Sequence, residues 1–484
     1  MTDNITKLKK GDALQLSITK YAFEGKGIAK IVKDNSESEE PNYVVFAHGA
    51  YPGDTVKVRL TKIKKSYAEG KVTHVLKPSD LRVEKRCRYF GVCGGCKQQD
   101  LAYEHQLYFK HEQVYDLYTR LGGYTDINVE DIIPSKNIFF YRNKMEFSFA
   151  AKRWLTEDEI GTGDNIDRSF ALGLHIPNLF DKVLDINECF LQSEISTKIL
   201  NFTRDFFKSR NVSVYENRPH EGYLRNLVIK QASHTKDLMV NLVTFTEDDE
   251  LMQSYTGELL KNFPEVTTVI NNINTRKALV AVGDYEKVYY GSGFIYDYIG
   301  KYKFRISANS FFQTNTVQAD NLYGTALEFA QLNKEDIVYD LYSGAGTISI
   351  YVSEQCKNVY AFETVDSSIA DASVNDKLNN IDNVEFVQAD LYKSFLPAVE
   401  EKNIPKPDVV ILDPPRSGMH KNTVDDVIAL KPKRIVYVSC NPATQVRDVK
   451  FFTEAGYSLK RIKPVDMFPH TYHIENVVLL ELLP

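Results

Sequence analysis

The sequence predicts an α/β protein with a doubly wound, Rossmann-like C-terminal domain, preceded by an OB-like β-barrel and a mixed α+β central domain. Two observations carry this. From Phe304 onward, short apolar strands alternate with helical stretches, which is the pattern of a parallel sheet covered by helices. Before residue 77, short alternating strands are broken by Gly and Pro turns, as in small barrels. The expected divisions are 1–76 for the barrel, 77–305 for the central domain and 306–484 for the C-terminal domain.

In the barrel, Leu14-Gln15-Leu16-Ser17-Ile18 alternates apolar and polar residues, Gly25-Lys26-Gly27 turns, and Ile28–Val32 resumes a strand. A charged loop at Asp34–Asn42 leads to the strand Tyr43–Phe46. Pro52-Gly53-Asp54 is a second turn, before Val56-Lys57-Val58-Arg59-Leu60. From Lys57 to Arg88, eleven Lys or Arg face only Glu69, Asp80 and Glu84, on a chain whose net charge is −6. Such a block is commonly a solvated face. On an otherwise acidic chain it favours a phosphate-binding surface.

Cys87-x5-Cys93-Gly94-Gly95-Cys96 follows, three thiols within ten residues. It is neither the paired Cys-x2-Cys of a zinc ribbon nor a ferredoxin run. A tetrahedral thiolate site needs a fourth ligand, and Cys189 is the best candidate because Cys356 falls in the C-terminal domain. Spacing leaves a structural zinc open. Tyr103–Leu121 reads as a helix stopped by Gly122-Gly123 and able to pack on the C-terminal domain. In the central domain Tyr141–Phe147 and Tyr223–Ile229 each place an arginine at the head of a strand, and Asp164–Asp167 is a polar loop. A scaffold or a reader of RNA shape is the expected role.

Five strands are expected in the last domain: Ile337–Leu341, Asn358–Glu363, Val384–Asp390, Asp408–Asp413, and Arg434–Ser439 stopping at Cys440. Ligands in such sheets sit beyond the carboxyl ends of the strands. The turn Gly344-Ala345-Gly346 allows close backbone approach, but Ser349 stands where a dinucleotide fingerprint has its third glycine. Glu363, Asp390 and Asp413 end successive strands. One such acid would read as a helix cap. Three read as a site for a ligand with ribose and adenine but no phosphates, which fits S-adenosylmethionine. Cys440 at a strand end is placed to be a nucleophile, although a lone intracellular cysteine is more often a small buried hydrophobe.

Several motifs carry a family resemblance: Ser310-Phe311-Phe312-Gln313-Thr314-Asn315, Asp340–Thr347, Asp413-Pro414-Pro415-Arg416, Ser439-Cys440-Asn441-Pro442 and Phe468–Glu475. In this order they resemble the RNA (uracil-5-)-methyltransferase family. Residues 1–76 are similar to its TRAM domain, and the cysteine clip resembles its [4Fe-4S] site, with Cys87, Cys93, Cys96 and Cys189 as ligands. The resemblance implies cofactor contacts from Gln313, Tyr342, Thr347, Glu363, Asp390 and Asp413, with Cys440 as nucleophile and Glu475 as base. Ser343 stands where many members carry cysteine, at a position with no role in the implied mechanism. Phe311 is expected to stack on a base taken out of its helix. His470 and His473 are expected to shape the loop before Glu475, and Cys356 to be core.

The implied reaction methylates C5 of uridine in RNA, with 23S rRNA favoured over tRNA because barrel and clip occur together. Rival readings are an amino-group methyltransferase, which needs no nucleophile, and a radical enzyme, whose Cys-x3-Cys-x2-Cys run is absent. A third is a non-catalytic RNA-binding module. No apolar run of 18 residues occurs, so no membrane span is expected. The polar Met1–Asp12 lacks a signal-peptide core, which points to the cytoplasm and reduced thiols. No obligate protein partner is evident.

Overall fold

The structure, a computed structural model, describes residues 8–32, 43–162, 166–177, 179–277 and 281–484. The loop expected at Asp34–Asn42, the first seven residues of the polar start, and Asp164-Asn165 lie outside them. The chain divides into two compact units, Met1–Gly91 with Gly95–Asp116 and Phe468–His473, and Val92–Gly94 with Leu117–Met467 and Ile474–Pro484.

The first unit holds β1 (Ala13–Ser17), β2 (Lys20–Ala22), β3 (Lys26–Ile31), β4 (Tyr43–His48), β5 (Thr55–Ile63) and β6 (Tyr67–Lys77), in the order β1-β5-β6-β4-β3-β2. Alternation sets the faces: Val56, Val58 and Leu60 of β5 are buried, whereas Lys57 and Arg59 point outward. Two of these strands escaped the sequence pattern. β2 has only three residues, and the second half of β6 is exposed without alternation. Gly70 in β6 is required by close packing, since a Cβ there would lie 2.3 Å from Val58 Cγ1.

The basic block is not a uniform open surface. Arg82 clamps the Asp54 carboxylate through Nε and Nη2 at 2.9 and 2.8 Å, reaches Asp100, and stacks over the Tyr51 ring at 4.5 Å. Lys62 pairs with Glu69 at 2.6 Å. These two residues serve the fold, whereas Lys57, Lys71, Lys77 and Lys85 are exposed. The helix expected at 103–121 is α1 (Tyr103–Asp116) continued by a π-turn over Leu117–Leu121. Gln106 of α1 accepts the His470 N–H at 2.8 Å and meets its Nδ1 at 3.2 Å, and the Lys97 N–H donates to the His470 carbonyl. His470, at φ +64°, is thus fixed within this unit.

The second unit begins with β7 (Lys144–Trp154), α2 (Glu157–Gly161), β8 (Ser169–Ile176), β9 (Leu179–Asp185), α3 (Glu194–Ser209), β10 (Leu224–Gln231), β11 (Leu238–Thr244), α4 (Asp249–Asn262), β12 (Thr268–Ile273) and β13 (Tyr285–Tyr290). They form one sheet, β13-β12-β11-β10-β7-β8-β9, whose β11 and β12 are wholly buried. The strands start later than the sequence suggested, so Arg142 precedes β7 rather than heading it. Arg225 lies inside β10, donating to the carbonyls of Asn274 and Arg276 at 2.7 Å. A hairpin follows, β14 (Phe294–Ile299) and β15 (Tyr302–Ser307).

The last sheet is built from α5 (Thr316–Ala330), β16 (Ile337–Leu341), α6 (Thr347–Val352), β17 (Asn358–Glu363), α7 (Asp366–Leu378), β18 (Val384–Gln388), α8 (Leu396–Glu401), β19 (Val409–Leu412), α9 (Lys421–Leu430), β20 (Arg434–Ser439), α10 (Pro442–Glu454), β21 (Tyr457–Val465) and β22 (Glu475–Leu482). Its order is β18-β17-β16-β19-β20-β22-β21, parallel except for β22 against its neighbours. Strand order reverses between β16 and β19, the crevice where doubly wound sheets bind ligands. Among the described residues no helix is long and apolar enough to cross a membrane.

Arg82→Met should destabilise the first unit by about 3 kcal/mol, because it strands the buried Asp54 carboxylate. Denaturant unfolding checks this; an unchanged midpoint would show that the ion pair contributes nothing net.

Candidate active site

The centre of the site is set by strand register. In the antiparallel pair β20–β22, Ser439 stands opposite Asn476. One step further, half-buried Cys440 follows β20 where buried Glu475 begins β22. The pairing is locked from α10: Gln445 donates to the carbonyls of Tyr437 (2.8 Å) and Asn476 (3.0 Å) and accepts from Asn476 Nδ2 and the Tyr118 hydroxyl. Asn441 caps α10 through its side chain on the Ala443 N–H, with Pro442 at the first helical position. The same side chain donates to the Arg416 carbonyl at 2.9 Å. This holds the Asp413–Arg416 turn beside the cysteine. Asp448 steadies the far side of that turn, accepting from the Met419 N–H at 2.9 Å and the Tyr437 hydroxyl at 2.8 Å.

The crevice lies at the carboxyl ends of β16, β17 and β19. Gly344 and Gly346 have φ of +55° and +75°, and a Cβ on Gly346 would sit 2.9 Å from the Phe386 ring. Tyr342 also has a positive φ, +67°. Glu363 ends β17. Its carboxylate accepts N–H bonds from Gly344 (2.9 Å), Thr364 (2.7 Å) and Val365 (2.8 Å), so it braces the glycine turn. Asp390 lies two residues beyond β18 rather than at its end. It accepts the Tyr392 N–H and pairs with Lys393 at 3.1 Å, because the chain has already turned there. Asp413 directly follows β19. Thr347 meets the Tyr323 hydroxyl at 2.9 Å, and Gln313 hydrogen-bonds the same hydroxyl.

Two buried polar atoms in this crevice have no hydrogen-bond partner among the described residues, Asp340 Oδ1 and Ser343 Oγ. Such orphans call for a ligand or water. With the glycine turn and the strand-end acids, the crevice fits a nucleoside-bearing ligand of positive charge, as S-adenosylmethionine is.

The electrostatics are those of crowded acids. Burial pushes Asp413 up to about 7. Burial also raises Glu475 well above the usual carboxyl range, reinforced by Asp413 and opposed by Arg416. The Cys440 thiol is pushed up to about 12 by burial, then by Glu475 and Asp413, again with Arg416 opposing. Asp340 reaches about 7, mainly through burial and despite the hydroxyl of Ser349. A cation in the crevice would favour the ionised forms of these groups.

Phe311 is strongly exposed, 70%, on the loop between β15 and α5. Asn315 fixes the end of that loop, capping α5 and donating to the Met467 carbonyl at 3.0 Å. Cys87, Cys93, Cys96 and Cys189 are all half-buried and outside any disulfide, whereas Cys356 is buried core. Gln99 accepts the Cys87 N–H at 2.7 Å and aims Nε2 at the Cys96 sulfur at 3.6 Å, a donor suited to a thiolate. Among the described residues no ready group of three or more His, Cys, Asp or Glu for a metal ion is found. Sequence reasoning missed Arg416's electrostatic role, Tyr323, Gln445 and Asn476. Arg416 was visible only as the end of the Asp-Pro-Pro-Arg motif, and nothing in a linear pattern singles out the other three.

Two family models match the chain: tRNA (uracil-5-)-methyltransferase over residues 279–482 and the TRAM domain over residues 7–73. An uncharacterized RNA methyltransferase of Chlorobaculum tepidum is 42% identical, covering 98% of this chain and 97% of that one. Another, from Bacteroides thetaiotaomicron, is 41% identical over 95% of this chain and 100% of that one. Among solved structures, the tRNA (uracil-54, C5)-methyltransferase of Pyrococcus abyssi in complex with S-adenosyl-L-homocysteine is similar. Its TM-score is 0.73 at 30% identity, covering 96% of this chain and 99% of that one. The last sheet is thus that of an S-adenosylmethionine-dependent methyltransferase, and the N-terminal sheet is a TRAM barrel.

Asp340 tests the crowding. Its carboxyl is raised when folded, so its contribution to stability is complete below about pH 4 and lost as pH rises through about 7. Without ligand, Asp340→Asn should match wild type at acid pH and be more stable by about 4 kcal/mol above neutrality. Melting curves across pH check this, and a gap that does not widen with pH would contradict it.

Proposed function

We propose, for a chain that belongs to the RNA (uracil-5-)-methyltransferase family, that it methylates C5 of a specific uridine in RNA through a covalent Cys440–C6 adduct, with 23S rRNA as the favoured substrate. The observation that carries this reading is the register that brings a cysteine and a buried carboxyl together beside Asp413 and Arg416.

C5 of uracil is a weak nucleophile. Addition of the Cys440 sulfur to C6 makes C5 an enolate carbon able to take a methyl group. Glu475 then removes the C5 hydrogen, and the sulfur leaves by elimination. A raised carboxyl pKa suits Glu475 to accepting that proton near neutrality. Arg416 opposes the two carboxyls and favours the thiolate. S-adenosylmethionine, when bound, supplies the methyl group on a sulfonium. Gln313, Tyr342, Thr347, Glu363, Asp390 and Asp413 are assigned to hold it, and Phe311 to stack on the extruded base. Cys87, Cys93, Cys96 and Cys189 are assigned as ligands of a [4Fe-4S] cluster with a structural role. The Gln99 amide, aimed at the Cys96 sulfur, supports that assignment. The divisions 1–76, 77–305 and 306–484, and a cytoplasmic location, belong to the same reading. A tRNA substrate is the second reading, favoured by what the similar Pyrococcus abyssi enzyme is named for.

Methyl-labelled cofactor and total RNA from cells lacking this gene should yield 5-methyluridine in 23S rRNA. Label in tRNA would move the substrate, and label in adenosine would overturn the chemistry. Cys440→Ala should lower turnover roughly 10³-fold or more. Glu475→Gln should trap an RNA–protein adduct that survives denaturing electrophoresis.

Because the thiol is pushed up to about 12, its reactive fraction grows as pH rises. The value of kcat/KM should therefore climb across the neutral range, and Arg416→Gln should move the climb to higher pH. A flat profile in both would remove Arg416 from this role. Anaerobic protein should carry iron and sulfide, and Cys189→Ser should lose both; iron-free wild type would leave zinc as the alternative.

A further inference from the structure

Beside Phe311, a cavity of about 160 Å³ opens between the start of β7, β10 and the loop before α5. Its lining includes Arg142, Lys144, Lys230 and Phe311, with Glu146 as its one acid. That volume corresponds to roughly five liquid-water volumes, enough for a phosphate group. Three features make it more than a surface dent.

First, Arg142 is half-buried. Its Nε donates to the Lys144 carbonyl at 3.2 Å, but among the described residues its two Nη groups make no hydrogen bond. A guanidinium held by one nitrogen presents the rest of its fork to an oxyanion. Second, Lys230 is almost fully buried. Burial lowers it to about 7, and its nitrogen donates to the carbonyls of Ser307 (2.7 Å) and Ser310 (3.0 Å), so an anion entering the cavity would restore its full charge and add a third N–H to bind it. These bonds tie the Lys230 side chain to the loop that presents Phe311. Third, Lys144 is partly exposed and only loosely paired with Glu146, at 3.8 Å, so the cavity keeps an excess of positive charge. The wall is shared with the cofactor side: Asn143 Nδ2 donates to the Gln313 carbonyl at 2.7 Å, and the Asn143 N–H to the Thr314 carbonyl at 2.8 Å.

We propose that this cavity is a phosphate subsite, receiving on Arg142, Lys144 and Lys230 the RNA phosphodiester that flanks the nucleotide presented to Phe311. It rests on the reading of the protein as an RNA uridine methyltransferase. Its work is to fix the backbone, and hence the position of the neighbouring base, without reading sequence.

The test measures binding of a short single-stranded oligouridylate as a function of salt, for wild type, Arg142→Gln, Arg142→Lys and Lys144→Gln. Thermal stabilisation by S-adenosylmethionine serves as the folding control. Each Gln variant should weaken binding roughly tenfold. It should also reduce the slope of log affinity against log salt by about 0.7, the signature of one lost phosphate contact on a single strand. Arg142→Lys should keep the slope, because the charge remains. Unchanged slopes in both Gln variants overturn the subsite, whether or not wild type methylates RNA. Reduced slopes in a protein that transfers no methyl group to uridine would leave the subsite standing and sink the methylation reading instead.

Discussion

The pairing of β20 with β22 is the constraint on which the site depends. Side chains on a strand alternate faces, so a slip of one residue would turn Cys440 or Glu475 away from the crevice. The register is held where it matters. Gln445 is wholly buried and bonded to Tyr437, Asn476 and Tyr118, so a shift of either strand would leave several polar groups unpaired at once. Neither Cys440 nor Glu475 lies on a loose loop: Cys440 directly follows β20 and Glu475 begins β22. The loops complete the site from outside: the Asp413–Arg416 turn is held by Asn441 and Thr444, and the start of α5 by Asn315.

The cost of this arrangement is electrostatic. Four acidic groups, Asp340, Asp413, Glu475 and the Cys440 thiol, share a poorly solvated region, where the Arg416 guanidinium offsets the burial of Glu475 and Cys440. Burial therefore disfavours the charged form of each of these groups, the Cys440 thiolate included. A positively charged ligand in the crevice would favour the charged forms of the same groups. The unpaired atoms of Asp340 and Ser343 fit the same logic, being polar groups arranged for something the chain itself does not supply.

Much of this was legible in the sequence. The alternation of strand and helix after Phe304, the glycine turn, and the strand ending at Cys440 follow from hydrophobic runs and breakers, which are local properties. The short β2, the exposed half of β6 and the late starts of β7 and β10 were not, because solvent and neighbouring strands decide them. Asp390 was expected to end a strand, yet the strand stops at Gln388 and the acid caps its own turn. Arg82 looked like part of a phosphate-binding face until Asp54 and Asp100, far from it in sequence, claimed it. Gln445 and Tyr323 were invisible for the same reason: their partners lie tens of residues away, and only the folded chain brings them together.

The six residues Phe468–His473 between β21 and β22 belong to the first compact unit, where Gln106, Lys97 and Lys110 bind their backbone. This bears on how the protein is made. Gln106 is fully buried, and its carboxamide oxygen accepts from the His470 N–H. During synthesis, that partner leaves the ribosome only when almost the whole chain has been translated. The N-terminal barrel can form its sheet early, but its unit stays incomplete until the end of translation. Genetic exchange of the leading segment through α1 as a simple cassette would therefore separate Gln106 from its own His470, and a recombinant fragment ending before Phe468 should leave Gln106 without that partner.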